Sequence, residues 1–230
     1  MANPPIYIFF HICCINNWHS VVTKLYEEIK TSGLYDKVDG IYCGILSNPG
    51  YIEHPLFGDP KTRLLYSNNK LELFERLTLN HLFEFSNTGD FYILYIHSKG
   101  IQHNGQNPCV EDWVDYLTYF NINQHEECIS RLKNCDVVGV NLQKEEFDDI
   151  YHFSGNFWWS KTTYIRNLNP KIGQEYVDPE FWIATSNSGK FSTLFNKPAH
   201  LNHYSGRFLP EEYVGKPFIY LNNVDNLDRL

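Results

Sequence analysis

The stretch FYILYIHSKG, residues 91–100, is an apolar, β-favouring run that ends in a histidine, a serine, a lysine and a glycine. A lysine just beyond a buried strand can offer one ammonium group to an anion, and a neighbouring glycine lets backbone N–H groups approach that anion. His97, Ser98, Lys99 and Gly100 therefore form a candidate diphosphate site. The alternative interpretation is an ordinary strand end with a solvated lysine.

The segment HFSGNFWW, residues 152–159, combines small polar residues with two adjacent tryptophans. Neighbouring side chains of a regular strand point to opposite faces, so one tryptophan is expected in a cleft or in a second small core. Hydroxyl and amide groups are the usual partners of sugar hydroxyls. We therefore consider His152, Ser154, Asn156 and Trp158 candidates for binding a sugar or an acceptor. The alternative is an aromatic hairpin that packs on the sheet.

The segment DPEFW, residues 178–182, predicts the start of a short helix. Asp178 precedes a proline, which is the pattern of a helix N-cap, and capping alone would account for it. Glu180 lies beside two apolar residues, and such surroundings make a carboxylate a stronger base. Glu180, with Asp178 as the second choice, is the candidate catalytic base.

The ten histidines do not indicate a zinc enzyme, because the chain has no HExxH motif and His200 and His203 form an isolated HxxH pair. A divalent ion that bridges a diphosphate fits better, with His203 or carboxylates as its ligands. The chain also has no GxSxG, GxGxxG or GxxxxGK[ST] motif. Their absence argues against a serine hydrolase, a dinucleotide-binding protein and a P-loop protein.

Composition excludes several classes of partner. The formal net charge of −8 provides no dense positive field for nucleic acid or anionic lipid. Six cysteines include one vicinal pair and no CxxC motif, which indicates reduced thiols. The first residues predict a strand rather than a signal peptide, and no apolar run approaches the roughly 20 residues that span a bilayer. These features predict a cytoplasmic protein.

Apolar runs alternate with amphipathic segments along the first half of the chain. Continuous apolar strands between such helices predict an α/β fold whose mainly parallel sheet is covered on both faces. Ligands of such sheets bind beyond the carboxyl ends of the strands, so the loops after residues 13, 47, 67 and 97 should line one cleft. The predicted strands are 6–13, 40–47, 62–67, 91–97, 135–142 and 190–196. The predicted helices are 18–32, 69–85 and 178–186, with one or two more helices within 110–133.

Residues 91–185 resemble glycosyltransferases of bacterial polysaccharide clusters and large DNA viruses. The resemblance rests on the run YIHSKG…VEDWVDYLTYFNI…CISRLKNCDVVGVNL…HFSGNFWWSKTTYIRNL…EFWI. It has a more distant likeness to the rhamnan synthesis F family. The resemblance implies a single GT-A-like (Rossmann-like) domain over residues 1–230, with a nucleotide-sugar half at about 1–100 and an acceptor half at about 101–230. It also implies a hexosyl- or deoxyhexosyltransferase of glycan biosynthesis in the bacterial or host cytoplasm.

The resemblance further implies a donor and a site for it. The donor would be a nucleoside diphosphate sugar, UDP-linked by default and GDP- or dTDP-linked otherwise, and the acceptor a glycan hydroxyl. GT-A enzymes usually hold Mn²⁺ or Mg²⁺ with a D-x-D motif after the strand that corresponds to 91–96, but this chain has no D-x-D. Either Lys99 replaces part of that charge, or His97 and His203 hold the cation. Asn16 and Asn17 in the first loop would meet the base and ribose.

Two other functions fit the same residues. The missing D-x-D motif is the main argument for a non-catalytic carbohydrate-binding or assembly protein that keeps the fold. A nucleotide-sugar hydrolase is the other alternative. For a transferase, inversion of the anomeric centre requires a base such as Glu180 or Asp178, whereas retention does not.

Overall fold

The computed structural model describes residues 4–48, 50, 52–144, 150–186 and 188–220. Its strands are β1 (Ile6–Cys14), β2 (Gly40–Ser47), β3 (Thr62–Asn68), β4 (Tyr92–His97), β5 (Val137–Gly139), β6 (Leu142–Lys144), β7 (Tyr151–Phe153), β8 (Trp158–Lys161) and β9 (Phe191–Thr193). Its α-helices are α1 (Trp18–Thr31), α2 (Leu34–Lys37), α3 (Arg76–Ser86), α4 (Pro108–Thr118), α5 (His125–Arg131), α6 (Thr162–Ile165) and α7 (Asp178–Phe181). None of the helices in these ranges is long and apolar enough to span a bilayer.

Seven strands form the central sheet in the order β3-β2-β1-β4-β8-β5-β9. The strands β1, β2, β3 and β4 pair in parallel, as do β5 and β9, whereas β8 runs antiparallel to both of its neighbours. The strands β6 and β7 form a separate antiparallel pair. The predicted α/β fold, with a mainly parallel central sheet and flanking helices, is confirmed.

Helices cover both faces of this sheet, because the continuous apolar strands bury side chains on each side. One core packs α1, α4 and α5 against the sheet, and the other packs α3, α6 and the segment after α7 against the opposite face. The two adjacent tryptophans divide between these cores. Trp159 belongs to the first and Trp158 to the second, and both side chains are fully buried. The second core predicted for one of them is therefore present.

The antiparallel direction of β8 decides which loops meet. Parallel strands bring their carboxyl ends to one edge of the sheet, whereas an antiparallel strand begins at that edge. Tyr95 near the end of β4 pairs with Trp158 at the start of β8. The turn that precedes β8 therefore meets the residues that follow β4. The two motifs singled out in the sequence, HSKG and SGN, are brought together by this pairing.

Three predicted elements differ from the structure. The helix predicted at 69–85 begins at Arg76, after a 3₁₀ turn at Leu71–Leu73 and a left-handed Phe74 with φ of 47°. The strand predicted at 135–142 divides into β5 and β6, because Asn141 adopts φ of 52° and breaks the ladder. The helix predicted at 178–186 is α7 followed by a 3₁₀ turn at Trp182–Ala184.

Candidate active-site cleft

A cleft of about 420 Å³ lies at the edge of the sheet where the parallel strands end. Six residues singled out in the sequence line it, namely His97, Ser98, Lys99, Gly100, Asn156 and Glu180. The other polar lining residues are His11, Cys13, Glu72, Glu75, Gln102, His103, Tyr176 and Tyr204, and the apolar ones are Ile15, Leu46, Leu71, Phe74, Ile101 and Val110.

The His97 ring is held between a carbonyl oxygen and a carboxylate. Its Nε2 atom lies 3.0 Å from the carbonyl oxygen of Gly155, which can only accept, so Nε2 carries the proton of the neutral ring. Burial and the nearby Lys99 ammonium lower the pKa of His97 to about 4, so the ring is neutral at pH 7. The Nδ1 lone pair then faces Glu75 Oε1 at 3.6 Å. Two acceptors that face each other in this way can share a hydroxyl group or a cation.

Lys99 lines the cleft, and its ammonium group packs on an aromatic ring. Its Nζ lies 3.8 Å from the ring centroid of Trp113. The same indole stacks on the imidazole of His203, with centroids 4.7 Å apart and ring planes at 6°. Burial lowers the pKa of Lys99, and the charges of Glu180 and Glu75 oppose that shift. Within the described ranges no carboxylate forms an ion pair with Nζ, so a ligand anion has access to it.

Asn156 supplies a neutral donor from the turn before β8. Gly155 and Asn156 both have positive φ, 100° and 53°, and this tight turn aims the Asn156 side chain inward. Asn156 Oδ1 accepts a hydrogen bond of 2.8 Å from Trp158 Nε1, which fixes the orientation of the amide. Its Nδ2 is buried and donates to no acceptor among the described residues. Asn156 is 2% exposed and lines the cleft, so this N–H group can serve a ligand.

Glu180 lies opposite that turn, in the first turn of α7. Its Oε1 accepts a hydrogen bond of 2.7 Å from the backbone N–H of Gly155. The charge-assisted bond holds one oxygen in place and leaves the other for a ligand. Asp178 is placed differently from Glu180. It is the first residue of α7 rather than its N-cap, and its Oδ2 accepts from the Glu175 N–H at 2.6 Å. Asp178 does not line the cleft.

The floor of the cleft is a junction between β1 and β4. Ser98 is 3% exposed, and its Oγ accepts a hydrogen bond of 3.0 Å from the Cys13 N–H. The Ser98 N–H donates to the carbonyl oxygen of His11 at 3.0 Å. Gly100 has φ of 85°, and a Cβ there would lie 3.0 Å from Val110 Cγ1. A glycine is therefore required for the chain to turn so closely over α4.

The asparagines predicted to meet a base and ribose lie outside the cleft lining. Asn16 Nδ2 donates to the carbonyl oxygen of Ile101 at 2.9 Å and so braces the loop that follows Gly100. Asn17 occupies the N-cap position of α1 without a capping hydrogen bond, and its buried Oδ1 accepts from no donor in the described part of the chain. Ile15, just before them, does line the cleft. The first loop therefore reaches the cleft with an apolar side chain.

Three candidate sugar-binding residues also lie outside the lining. Trp158 is fully buried and stacks on Tyr95 at 4.9 Å, so no face of its indole is free to bind a sugar or an acceptor. His152 is buried against Phe181, with ring centroids 5.1 Å apart. The N–H of Ser154 donates to the carbonyl oxygen of Asn141 at 2.9 Å. These residues build the turn that carries Asn156.

His203 does not fit the metal-binding role predicted for it. Asn141 Oδ1 accepts from Tyr116 and from the Lys197 N–H, so Asn141 Nδ2 must be the donor in its 2.9 Å contact with His203 Nε2. Burial, followed by the charges of Lys197 and Lys99, lowers the pKa of His203 to about 4. The neutral ring then carries its proton on Nδ1 and has no lone pair for a metal. Among the described residues, no three or more His, Cys, Asp or Glu side chains converge on a metal position.

Sequence reasoning missed Glu75, Tyr176 and Tyr204, which all line the cleft. Glu75 comes from the segment assigned to a helix, and only the shorter helix places it at the N-cap position of α3. Tyr176 lies in a stretch with no periodic signal. Tyr204 directly follows His203, which the sequence did single out as a candidate ligand.

The lining carries more negative than positive charge. Among its described lining residues are three glutamates, Glu72, Glu75 and Glu180, and one lysine, Lys99, with no arginine. His97 is neutral at pH 7, as is His11, whose pKa burial lowers to about 4. A diphosphate in this cleft would therefore need a cation in addition to Lys99.

Three solved structures have a similar course of the chain, each at 10% sequence identity. HddC from Yersinia pseudotuberculosis matches 84% of this chain and 91% of its own, with a TM-score of 0.45. A candidate nucleotide-diphospho-sugar transferase from Desulfovibrio desulfuricans G20 matches 83% and 80%, with a TM-score of 0.40. A 4-diphosphocytidyl-2C-methyl-D-erythritol synthase matches 86% and 91%, with a TM-score of 0.38.

Sequence comparison adds a family but no activity. No curated protein sequence matches the chain significantly. One family profile does match, and its 54–196 range contains β3, β4, β5 and β8 together with His97, Lys99, Asn156 and Glu180. The chain therefore belongs to the family described as "Domain of unknown function (DUF8361)".

Proposed function

We propose that this protein is a glycosyltransferase that moves a sugar from a nucleoside diphosphate sugar to a hydroxyl group of a glycan acceptor. The observation that carries the proposal is the pair of unsatisfied donors in one cleft. Lys99 Nζ lies over Trp113 without an ion-pair partner in the described ranges, and Asn156 Nδ2 has no acceptor there. Both lie where ligands of parallel sheets bind.

The nucleotide would lie in the half formed by residues 1–100. There the ends of β1 and β2 and the turn before α3 line the cleft with Ile15, Leu46 and Leu71. These apolar side chains suit a nucleobase and ribose better than they suit a sugar with many hydroxyl groups. Uridine is the default base, and the sugar would extend toward Asn156 and Glu180.

A divalent cation fits this cleft with ligands other than the predicted pair. Glu75 Oε1 and His97 Nδ1 are 3.6 Å apart, and both are acceptors at pH 7. Mg²⁺ is commonly held by one or two carboxylates, with substrate phosphates and water completing its shell, so Glu75 would be its main protein ligand. A cation bound there would supply the positive charge that Lys99 alone does not provide for a diphosphate. Glu75 thus takes the place that the sequence analysis gave to His203.

The chain's own residues would act at two atoms of the reaction. The acceptor oxygen bonds to the anomeric carbon, the bond from that carbon to the β-phosphate oxygen breaks, and its electron pair stays on the phosphate. Lys99 donates to that phosphate as its negative charge grows, so it stabilises the transition state more than the ground state. In an inverting reaction the acceptor proton passes to Glu180, whose free oxygen is the base.

The experiment is incubation of the protein with UDP-, GDP- and dTDP-sugars, with and without Mn²⁺, while nucleoside diphosphate release is measured. We expect one nucleotide class to react, with release that rises when a panel of glycan acceptors is added. Glu75→Gln should lower the response to Mn²⁺, whereas Glu84→Gln, on the exposed side of α3, should not. If no donor reacts in the presence of Mn²⁺ and acceptors, the proposal is wrong.

A carbohydrate-binding protein without transferase activity is the second candidate. The excess of glutamates in the lining favours it, because carboxylates accept hydrogen bonds from the hydroxyl groups of a neutral sugar. Such a protein would bind glycans and release no nucleotide. A nucleotide-sugar hydrolase would release nucleotide at a rate that no acceptor raises.

A further inference from the structure

Two large aromatic side chains stand exposed at the cleft. Tyr176 is 61% exposed and Tyr204 is 55% exposed, although both line the cleft. An aromatic ring in contact with water is unfavourable, and a ligand that covers the ring removes this apolar area from water. Partial desolvation raises the pKa of each phenol above its ordinary value, which already lies well above neutral pH, so both hydroxyl groups are protonated.

The backbone around Tyr176 is fixed rather than loose. Arg76 is 6% exposed, and its Nε donates to the carbonyl oxygen of Gly173 at 2.7 Å. Its second guanidinium nitrogen donates to the carbonyl oxygen of Glu175. Asp178 accepts from the Glu175 N–H on the other side of the same residue. This buried arginine also donates to the 3₁₀ turn before α3, so it ties that turn to the loop that carries Tyr176 and fixes the position of the tyrosine.

Tyr204 is held as firmly. Asn107 Nδ2 donates to its carbonyl oxygen at 3.0 Å, and its own N–H donates to Asn202 Oδ1 at 2.8 Å. Its ring meets the indole of Trp113 edge to face, with centroids 5.3 Å apart at 83°. That indole also lies under Lys99. Tyr204 therefore shares its support with the ammonium group proposed to bind the phosphate.

The surroundings of the two rings restrict what can cover them. Desolvation, followed by the negative charges of Glu75 and Glu180, raises the pKa of Tyr176, and Glu180 likewise acts on Tyr204 after desolvation. The Gln102 side chain lines the same cleft. A negative charge next to the rings disfavours an anion, and the amide and carboxylate groups accept hydrogen bonds from hydroxyl groups. A pyranose offers an apolar C–H face for a tyrosine ring and hydroxyl groups for such acceptors.

We propose that Tyr176 and Tyr204 form an aromatic subsite that binds an uncharged sugar ring of the acceptor. This assignment rests on the proposed transferase activity, because it gives the acceptor a place beside Glu180. The two tyrosines set acceptor affinity, and the nucleotide contacts neither of them.

The test is saturation-transfer NMR of the whole protein with a panel of methyl glycopyranosides and with choline, in parallel with calorimetry of UDP binding. The variants are Tyr176→Ala, Tyr204→Ala and the double variant. Tyr220→Ala is the matched control, since Tyr220 is 72% exposed and does not line the cleft. We expect the wild-type protein to bind at least one glycoside. Each single variant should weaken that binding about fivefold to tenfold, with UDP affinity within about twofold of wild type.

Several results would overturn the subsite. They are unchanged glycoside binding in the double variant, a loss of UDP affinity as large as the loss of glycoside affinity, binding of choline in preference to every glycoside, or no glycoside binding by the wild-type protein. Failure of the proposed transferase gives a different pattern. In that case no nucleotide-sugar reacts, but the wild-type protein still binds a glycoside that the tyrosine variants lose.

Discussion

Replacing Lys99 by methionine removes one ammonium group and keeps a side chain of similar length. Methionine can still pack on Trp113, because a thioether makes favourable contacts with aromatic rings. The change therefore tests the charge with little change in packing. Lys133→Met is the matched control, since Lys133 is exposed at the end of α5 and does not line the cleft.

The size of the effect follows from the surroundings of the ammonium group. Nζ is already desolvated over an indole, which lowers the pKa of Lys99. A hydrogen bond to a charged group contributes about 1.5–3 kcal/mol. Loss of that contact should raise the Kd for UDP by about 10- to 150-fold. Uridine lacks phosphate, so its Kd should change by less than about twofold.

Calorimetric titration of UDP, UMP and uridine into both variants and the wild-type protein measures this difference. The free energy of unfolding of Lys99→Met should equal or exceed that of the wild type, because the substitution removes a partly desolvated charge that has no ion pair in the described residues. An equal loss of affinity for UDP and uridine would show that Lys99 acts on the shape of the cleft. Unchanged UDP binding would remove Lys99 from the phosphate site.

The other predictions concern the base, the turn and the pH dependence. Glu180→Gln should lower turnover by about 10²- to 10⁴-fold with unchanged donor affinity, and a rate near wild type would exclude Glu180 as the base. Gly155→Ala should lower the free energy of unfolding by about 2–3 kcal/mol, measured by urea titration. Gly155 has φ of 100°, and a Cβ there would lie 2.6 Å from Leu117 Cδ1. A variant as stable as the wild type would contradict this geometry. The four histidines whose pKa is lowered to about 4 should make unfolding easier as the pH falls from about 6.5 to about 4, by up to about 1.4 kcal/mol per pH unit for each. The reason is that the unfolded chain binds protons that the folded chain excludes. Constant stability between pH 7 and 5 would contradict these lowered pKa values. Burial lowers the pKa of each of these histidines to about 4: His11, His54, His97 and His203.

The sheet and the position of the cleft could be predicted because they depend on long apolar runs. The composition of residues 91–97 indicates a buried strand without any knowledge of the strands beside it. Ligands of parallel sheets bind beyond the carboxyl ends of such strands. The pairing of Lys99 with Asn156 in one cleft could not be derived in the same way. It depends on β8 running antiparallel beside β4, and periodicity does not indicate the direction of a strand four residues long.

The missed residues depend on backbone conformations that leave no periodic signal. Glu75 reaches the cleft because Phe74 has φ of 47° and ends the preceding turn, whereas the sequence pattern continues the helix through both residues. Tyr176 reaches it because Arg76, about a hundred residues earlier in the chain, fixes its loop. The absence of Trp158 from the cleft lining has another cause. Alternation predicts that adjacent tryptophans face opposite sides, but both sides of this sheet are covered by helices.

Buried tryptophans near the cleft position its hydrogen-bond donors rather than contact a ligand directly. Trp158 is fully buried, yet its Nε1 orients the amide of Asn156, and Trp113, 4% exposed, carries the ammonium group of Lys99 on its ring. Rigid rings packed in a core lose little further freedom when a ligand binds, so the donors that they hold are already oriented. Truncating either tryptophan should therefore weaken phosphate or sugar binding even though neither lines the cleft. Of the tyrosines, Tyr176 and Tyr204 are the ones left to meet the ligand itself.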